Sequence, residues 1–214
     1  MNKPLLTALL ALAALTVVPL SAHAGADDSS GPVGNLYFSI FDEDLYGGGL
    51  QIGGEWIEPE TKAGLGFRLG YGIFMGSKGN EDPDNDLRVA MTGQADVYGV
   101  VRIFPWMTGY AGVGGLGLYE TYDVVVPTRR WVESDSATVS TKGFPILPSY
   151  FGGIRIRLND DPTPDGSTCH LFVEYRFEEK DLTYKLEFSD YRSDVEFKEK
   201  TGGGRIVVGI GLAF

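Results

Sequence analysis

The one histidine beyond residue 24 is His170, in the stretch "CHLFVEYRF" at 169–177. A histidine does hydrolytic chemistry when it meets a nucleophile on one side and a carboxylate on the other. Glu174 shares its alternation parity, but strand residues four apart lie about 13 Å from each other, beyond direct hydrogen bonding. Cys169, the single cysteine, falls on the apolar side of the same alternation and reads as a packed thiol. "GVGGLG" at 112–117 matches G-x-G-x-x-G, yet a phosphate-cradling loop must open a helix and here "LYETYDVVV" continues as a strand. "NEDPDND" (80–86) and "NDDPTPD" (159–165) have calcium-loop composition without calcium-loop spacing, and Pro-Asp turns explain them. The expectation is a protein with no catalytic role, no metal and no cofactor.

The remaining charges have a different order. Glu55, Arg68, Gln94, Asp96, Arg102, Arg155, Arg157, Glu174, Arg176 and Arg205 all sit on strand faces otherwise made of glycine and small polar residues. The elements carrying them alternate with period two. In 63–75, Leu65, Phe67, Leu69, Tyr71 and Ile73 oppose Gly64, Gly66, Arg68, Gly70 and Gly72. In 87–104, Val89, Met91, Val97 and Val101 oppose Arg88, Thr92, Gln94, Asp96 and Tyr98. In 169–177, Leu171, Val173 and Tyr175 oppose His170, Phe172, Glu174 and Arg176.

Alternation does not say which face points inward. A soluble barrel would hold the apolar face inside; a barrel in a bilayer reverses it. Glycine mixed with arginine and glutamate suits a narrow lumen, where small residues leave room for long paired ones. Glycine is 30 of 214 residues and lies within apolar stretches. Trp56, Trp106, Tyr110 and Tyr175 lie near strand ends, as an interfacial girdle requires. Strands are expected at 34–41, 46–58, 62–75, 86–104, 108–126, 145–158, 168–180 and 201–214. Short links near 59–61 and 105–107 alternate with long polar links at 76–85, 127–144 and 181–200, so the long ones belong outside. The fold class predicted is all-β: an eight-stranded antiparallel up-and-down transmembrane barrel after a cleaved signal peptide. The polar set then reads as a salt-bridged plug, with a narrow arginine-lined conduit as the functional alternative. In "LTYKLEFSD" (182–190) the side Leu182, Tyr184, Leu186, Phe188 either recruits a partner strand or pairs within its own hairpin.

Lys3, an apolar run and "SAHA" have the form of a secretory signal peptide ending at Ala24. That gives a signal peptide at 1–24, a periplasmic N-terminal segment at 25–33 and a barrel at 34–214. The net charge of -11 becomes -12 once Lys3 is removed, which argues against nucleic-acid binding. One cysteine forbids an intrachain disulfide.

"RIVVGIGLAF" closes the sequence with Ile210, Leu212 and Phe214 in alternation. It resembles the C-terminal signature of outer-membrane barrels, and the whole mature chain resembles the small OmpA/OmpX/OmpW-like superfamily. The resemblance implies a bacterial outer-membrane location. It implies partners in outer-membrane lipid and lipopolysaccharide and in the barrel-insertion machinery that reads that signature. The long acidic, aromatic outer loops point to a structural or surface-interaction role, with a surface protein as the partner. It also implies an OmpW-like alternative, a conduit for small hydrophobic molecules, which needs an apolar funnel opening sideways through the wall. A further alternative is a lipid A-modifying hydrolase. The lipid A deacylase family carries His-x-Ser on a strand, and here Phe172 stands at the serine position. A soluble periplasmic ligand-binding barrel is the remaining alternative.

Overall fold

The computed structural model describes residues 30–42, 45–77, 87–127, 134–159, 167–188 and 194–213. The expected signal peptide, the 80–86 loop and Phe214 lie outside these residues. Nine strands occur among the described residues: β1 (Ser30–Asp42), β2 (Leu45–Ile57), β3 (Ala63–Ser77), β4 (Leu87–Phe104), β5 (Met107–Pro127), β6 (Ser134–Thr141), β7 (Ile146–Arg157), β8 (Thr168–Phe188) and β9 (Val195–Ala213). All pair antiparallel, and β1 pairs with β9, so the sheet closes. The barrel has eight walls, because β6 and β7 are two parts of one wall lying between β5 and β8.

The alternation resolves with apolar residues outward. Leu65, Phe67, Leu69, Val97, Val113, Tyr150, Ile206 and Ile210 are exposed, while Arg68, Asp96, Glu174, Arg176 and Arg205 are buried. A band of this size is untenable in water and is what a hydrocarbon solvent selects. Closure supplies a ladder partner on both sides through the band, as lipid demands. The fold is an eight-stranded membrane-type β-barrel.

Four features depart from the sequence expectation. First, β1 starts at Ser30 rather than 34. Second, the expected long link at 127–144 contains β6, whose Ala137 and Val139 face inward. Third, most of the expected link at 181–200 is strand: β8 and β9 pair continuously from Thr168↔Ala213 to Leu186↔Val195. Leu182 and Tyr184 are therefore buried on the inner face and take no outside strand. Fourth, Tyr110 is an interior residue at 5% exposure, not part of a girdle. Its parity is that of Gly112 and Leu116, and its ring meets Tyr98 and Phe151. Position near a strand end suggested an interface; parity decides the face. Trp56, Trp106 and Tyr175 do face outward.

The β2–β3 turn is closed by Glu58 N–H donating to Ala63 O and Lys62 N–H donating to Glu58 O, both at 2.9 Å. Lys62 has φ 58° there. Beyond the band on the opposite side, β5, β6, β8 and β9 continue as a four-stranded outer sheet, while β1, β2 and β3 stop short.

Candidate functional site

The barrel interior is the candidate site. Its floor is a row of cross-strand pairs that the ladder places opposite one another: Arg68 with Asp96, Arg155 with Phe172, Phe151 with Arg176. Arg68 Nε donates to Asp96 Oδ2 at 2.7 Å and its Nη2 reaches Glu174. Arg176 donates to Asp96 through both terminal nitrogens and to Glu174 Oε1 at 3.1 Å. Its Nη1 also donates to Ser149 Oγ at 3.3 Å. Two guanidiniums and two carboxylates thus form one closed, cross-braced set. Phe151 lies against both guanidiniums, at 4.4 Å from Arg68 and 4.5 Å from Arg176.

Three more interior pairs accompany it. Arg155 makes a bidentate pair with Glu55, which also accepts from Tyr98 Oη at 2.6 Å. Arg205 donates to Glu178 at 2.9 Å. Toward the outside, Arg88 pairs with Glu120, which accepts from Tyr184 Oη at 3.2 Å. That last tyrosine stands above the band, where burial and the Glu120 carboxylate raise its phenol from the ordinary value. Among the described residues, Arg68, Arg88, Arg155, Arg176 and Arg205 are therefore matched by Glu55, Asp96, Glu120, Glu174 and Glu178. Balance of this kind is what makes buried charge tolerable.

Of the ten polar residues marked in the sequence, Arg68, Asp96, Glu174 and Arg176 come together in the central set. Glu55 with Arg155, and Arg205 with Glu178, form separate pairs. Gln94 is buried beside them with its Nε2 unpartnered. Arg102 and Arg157 lie half-buried at the end of the short turns, and Arg157 Nε donates to Asn159 O at 2.9 Å. Glu120, Glu178 and Phe151 are interior residues that the sequence reading did not single out, and Tyr98 is one that it placed on the polar face without a role. Parity marks all four: Glu178 continues the 174, 176 series, and Glu120 the 112, 114, 116 series.

His170 is buried, with Nε2 2.9 Å from Asn35 Oδ1. Asn35 Nδ2 donates onward to Gln51 Oε1 at 3.3 Å. The imidazole is thus tied to an amide chain, and its strand neighbour Phe172 is itself buried. Among the described residues no group of three His, Cys, Asp or Glu side chains is arranged to hold a metal ion. The "GVGGLG" glycines serve close approach instead. A Cβ at Gly114 would meet the Asp96 carboxylate, and one at Gly117 would meet the ring of Phe144.

Outward of the ion pairs the interior turns apolar. Leu45, Phe74, Ala90, Leu116, Leu118, Val139, Leu147, Leu182 and Tyr184 pack as one cluster. Beside it the ladder is irregular, held by Leu118 N–H donating to Pro145 O and Glu120 N–H donating to Thr141 Oγ1, both at 3.1 Å. Between Gly117↔Ile146 and Thr121↔Ser140, β5 spends residues 118–120 against residues 141–145 of the neighbouring wall. Gly143 takes φ 75°, Phe144 lies outward over Gly117, and Pro145 and Pro148 carry no N–H. Towards β8 the ladder stops at Ser149↔Glu178 and resumes at Thr141↔Tyr184, with Lys142 N–H donating to Thr183 O at 2.7 Å between them.

No family model matches the chain, and no curated protein sequence matches it. Its shape does match solved structures. A major outer membrane protein from Thermus thermophilus aligns with TM-score 0.51 and 11% identity, over 86% of this chain and 98% of that one. Neisserial surface protein A aligns with TM-score 0.50 and 11% identity, over 89% of this chain and all of that one. At this identity the likeness is one of fold: the chain has the architecture of small outer-membrane barrels.

Proposed function

We propose that the chain is a non-catalytic protein of a bacterial outer membrane whose role lies in the sheet it raises above the bilayer. The observation that carries this is the contrast between a filled interior and a projecting exterior. Ion pairs occupy one part of the lumen and packed apolar side chains the other, so the barrel reads as a rigid mount. Beyond the band, β5, β6, β8 and β9 present exposed Asp123, Thr138, Glu187, Glu196, Lys198 and Lys200. Alongside the apolar band the neighbours are outer-membrane lipid and lipopolysaccharide, and the C-terminal alternation fits recognition by insertion machinery.

The test uses the full chain in a Gram-negative host, with Cys169→Ala and either Thr138→Cys or Glu187→Cys. A membrane-impermeant maleimide should label both positions in intact cells, and planar bilayers holding the protein should show no steady conductance. Labelling only after permeabilisation would overturn the proposal.

The irregular stretch of the sixth wall favours a second reading, a side entry for small hydrophobic molecules that opens when the few bonds across it part, because Leu118, whose N–H makes one of them, belongs to the apolar cluster with Leu116, Leu147 and Leu182. Under that reading a photoreactive fatty acid attaches to the wall at 144–148. Deleting Gly143 and Phe144, which evens the count against β5, abolishes the attachment. Attachment unaffected by the deletion would dismiss it.

A further inference from the structure

The outer sheet has one open edge. β9 pairs with β8 along its whole length, but with β1 only from Val33↔Ala213 to Ser39↔Val207. Among the described residues, 195–205 therefore has a ladder partner on one side only. An open edge of this length is a template for another strand.

The side chains along that edge are ordered by charge. Tyr184 stands opposite Phe197 and stacks on it at 5.4 Å, so Val195, Phe197 and Glu199 share the inner face. Asp194, Glu196, Lys198 and Lys200 share the outer face: two acids, then two bases, at spacing two. Glu196 has Lys142 within its own chain at 2.7 Å, and Asp194 has Lys185 at 2.9 Å. Lys198 and Lys200 make no ion pair among the described residues, Lys200 standing opposite Asp181 and Lys198 opposite Thr183 across the β8 ladder. Phe197 remains 38% exposed despite its stacking.

This order is self-complementary in one antiparallel register. With Phe197 opposite Phe197 of a second copy, Glu196 faces Lys198 and Asp194 faces Lys200, each pair occurring twice by the two-fold symmetry. A shift that keeps the faces must move the register by two residues. One direction sets Lys198 against Lys198 and the other sets Glu196 against Glu196, so neighbouring registers are penalised by like charge at their centre.

We infer that the β9 edge at 194–200 is a homophilic docking strand that joins two copies of this chain through a continuous antiparallel sheet. The inference rests on the reading of the outer sheet as the working part of the protein. Strand direction fixes the geometry. Two copies in one membrane run β9 the same way and can meet only in parallel, so the antiparallel pair joins copies that face each other from two apposed membranes. The contact is a bridge between surfaces.

The test is made on the intact barrel in detergent and in vesicles. Sedimentation should show a monomer–dimer equilibrium, and vesicles carrying the protein should cluster. Lys198→Glu, and separately Glu196→Lys, should weaken dimerisation at least about tenfold, since each places two like pairs across the joint. The swap Glu196→Lys with Lys198→Glu recreates opposite pairs and should return the dissociation constant to within about threefold of the original. In a Cys169→Ala background, Phe197→Cys should form a disulfide-linked dimer under mild oxidation and Glu199→Cys should not. A heat-modifiable, surface-labelled barrel that stays monomeric at all concentrations would overturn this inference and leave the proposed function standing. A dimer indifferent to the charge reversals would also overturn it. Failure of surface labelling would instead strike the proposed function itself.

Discussion

Replacing Arg176 by Met should be among the most damaging single changes in the chain. The guanidinium is fully buried, bonds to Asp96, Glu174 and Ser149, and lies over Phe151. Methionine keeps much of the volume and the apolar stem, so the loss is one of charge and donors. What stays behind is Arg68 between two carboxylates, a buried excess of one negative charge. Breaking a buried pair in this way costs about 3–5 kcal/mol, more than the pair's net worth, because the orphaned partner stays desolvated. With a urea slope of about 2 kcal/mol per molar, the unfolding midpoint in vesicles should fall by about 2 M. Adding Glu174→Gln removes the excess charge while leaving Arg68 on Asp96, so the double variant should recover at least about half of that fall. The assay is urea unfolding followed by tryptophan fluorescence, with gel migration of unboiled samples as the check on closure. A fall worth less than about 1 kcal/mol, or a double variant as weak as the sum of the singles, would refute a dry, mutually dependent ion-pair set. It would mean that water already solvates these groups.

Three further predictions concern backbone and packing. Gly114→Ala should cost about 1–3 kcal/mol in the same unfolding assay, since its Cβ meets Asp96 and lies 2.6 Å from Ala95 O, whereas Gly34→Ala, with open space, should be close to neutral. Gly143→Ala should cost about 1–2 kcal/mol from its left-handed backbone alone, and Gly203→Ala, equally uncrowded but without that conformation, should not; equal effects would remove the conformational explanation for the wall break. Lys62→Gly should raise stability by up to about 1 kcal/mol, because the strain of a non-glycine residue at φ 58° exceeds glycine's extra unfolded-state entropy; a loss on this substitution would show that Lys62 makes a contact worth more than that strain.

The parts of the barrel inside the bilayer were legible because one face must be apolar and the other small or polar. That rule held along 63–75, 87–104, 169–177 and 206–212, with Phe74, Val100, Phe172 and Val207 as apolar exceptions on the inner face, and it marked the faces of Arg68, Asp96, Glu174 and Arg176. Which of these would meet was not legible, since pairing across β5 and β7 depends on the register and curvature of walls distant in sequence. Above the bilayer the rule lapses. Residues 134–141 read as a loop because only Ala137 and Val139 are apolar there, and "FKEK" at 197–200 reads as part of a link because an exposed strand in water has no constraint on its outer face. Tyr110 shows the opposite error: an aromatic residue near a strand end suggests the membrane interface, but a lumen holding guanidiniums also has room for the rings that flank them, here Tyr98, Tyr110 and Phe151. The wall break at 142–145 left a trace in "KGFP", whose glycine and proline were visible as a boundary but not as an interruption within one wall.

The central claim is that the apolar faces point into lipid around a closed, ion-paired interior. Heat-modifiability with fractionation tests it most directly. The full chain is expressed in a Gram-negative host, outer membranes are isolated, and gel migration is compared with and without boiling. A closed barrel in lipid should give a band in the outer-membrane fraction that runs as a compact species unboiled and shifts on boiling. A soluble periplasmic band with no shift would contradict it, because the faces would then have to be reversed.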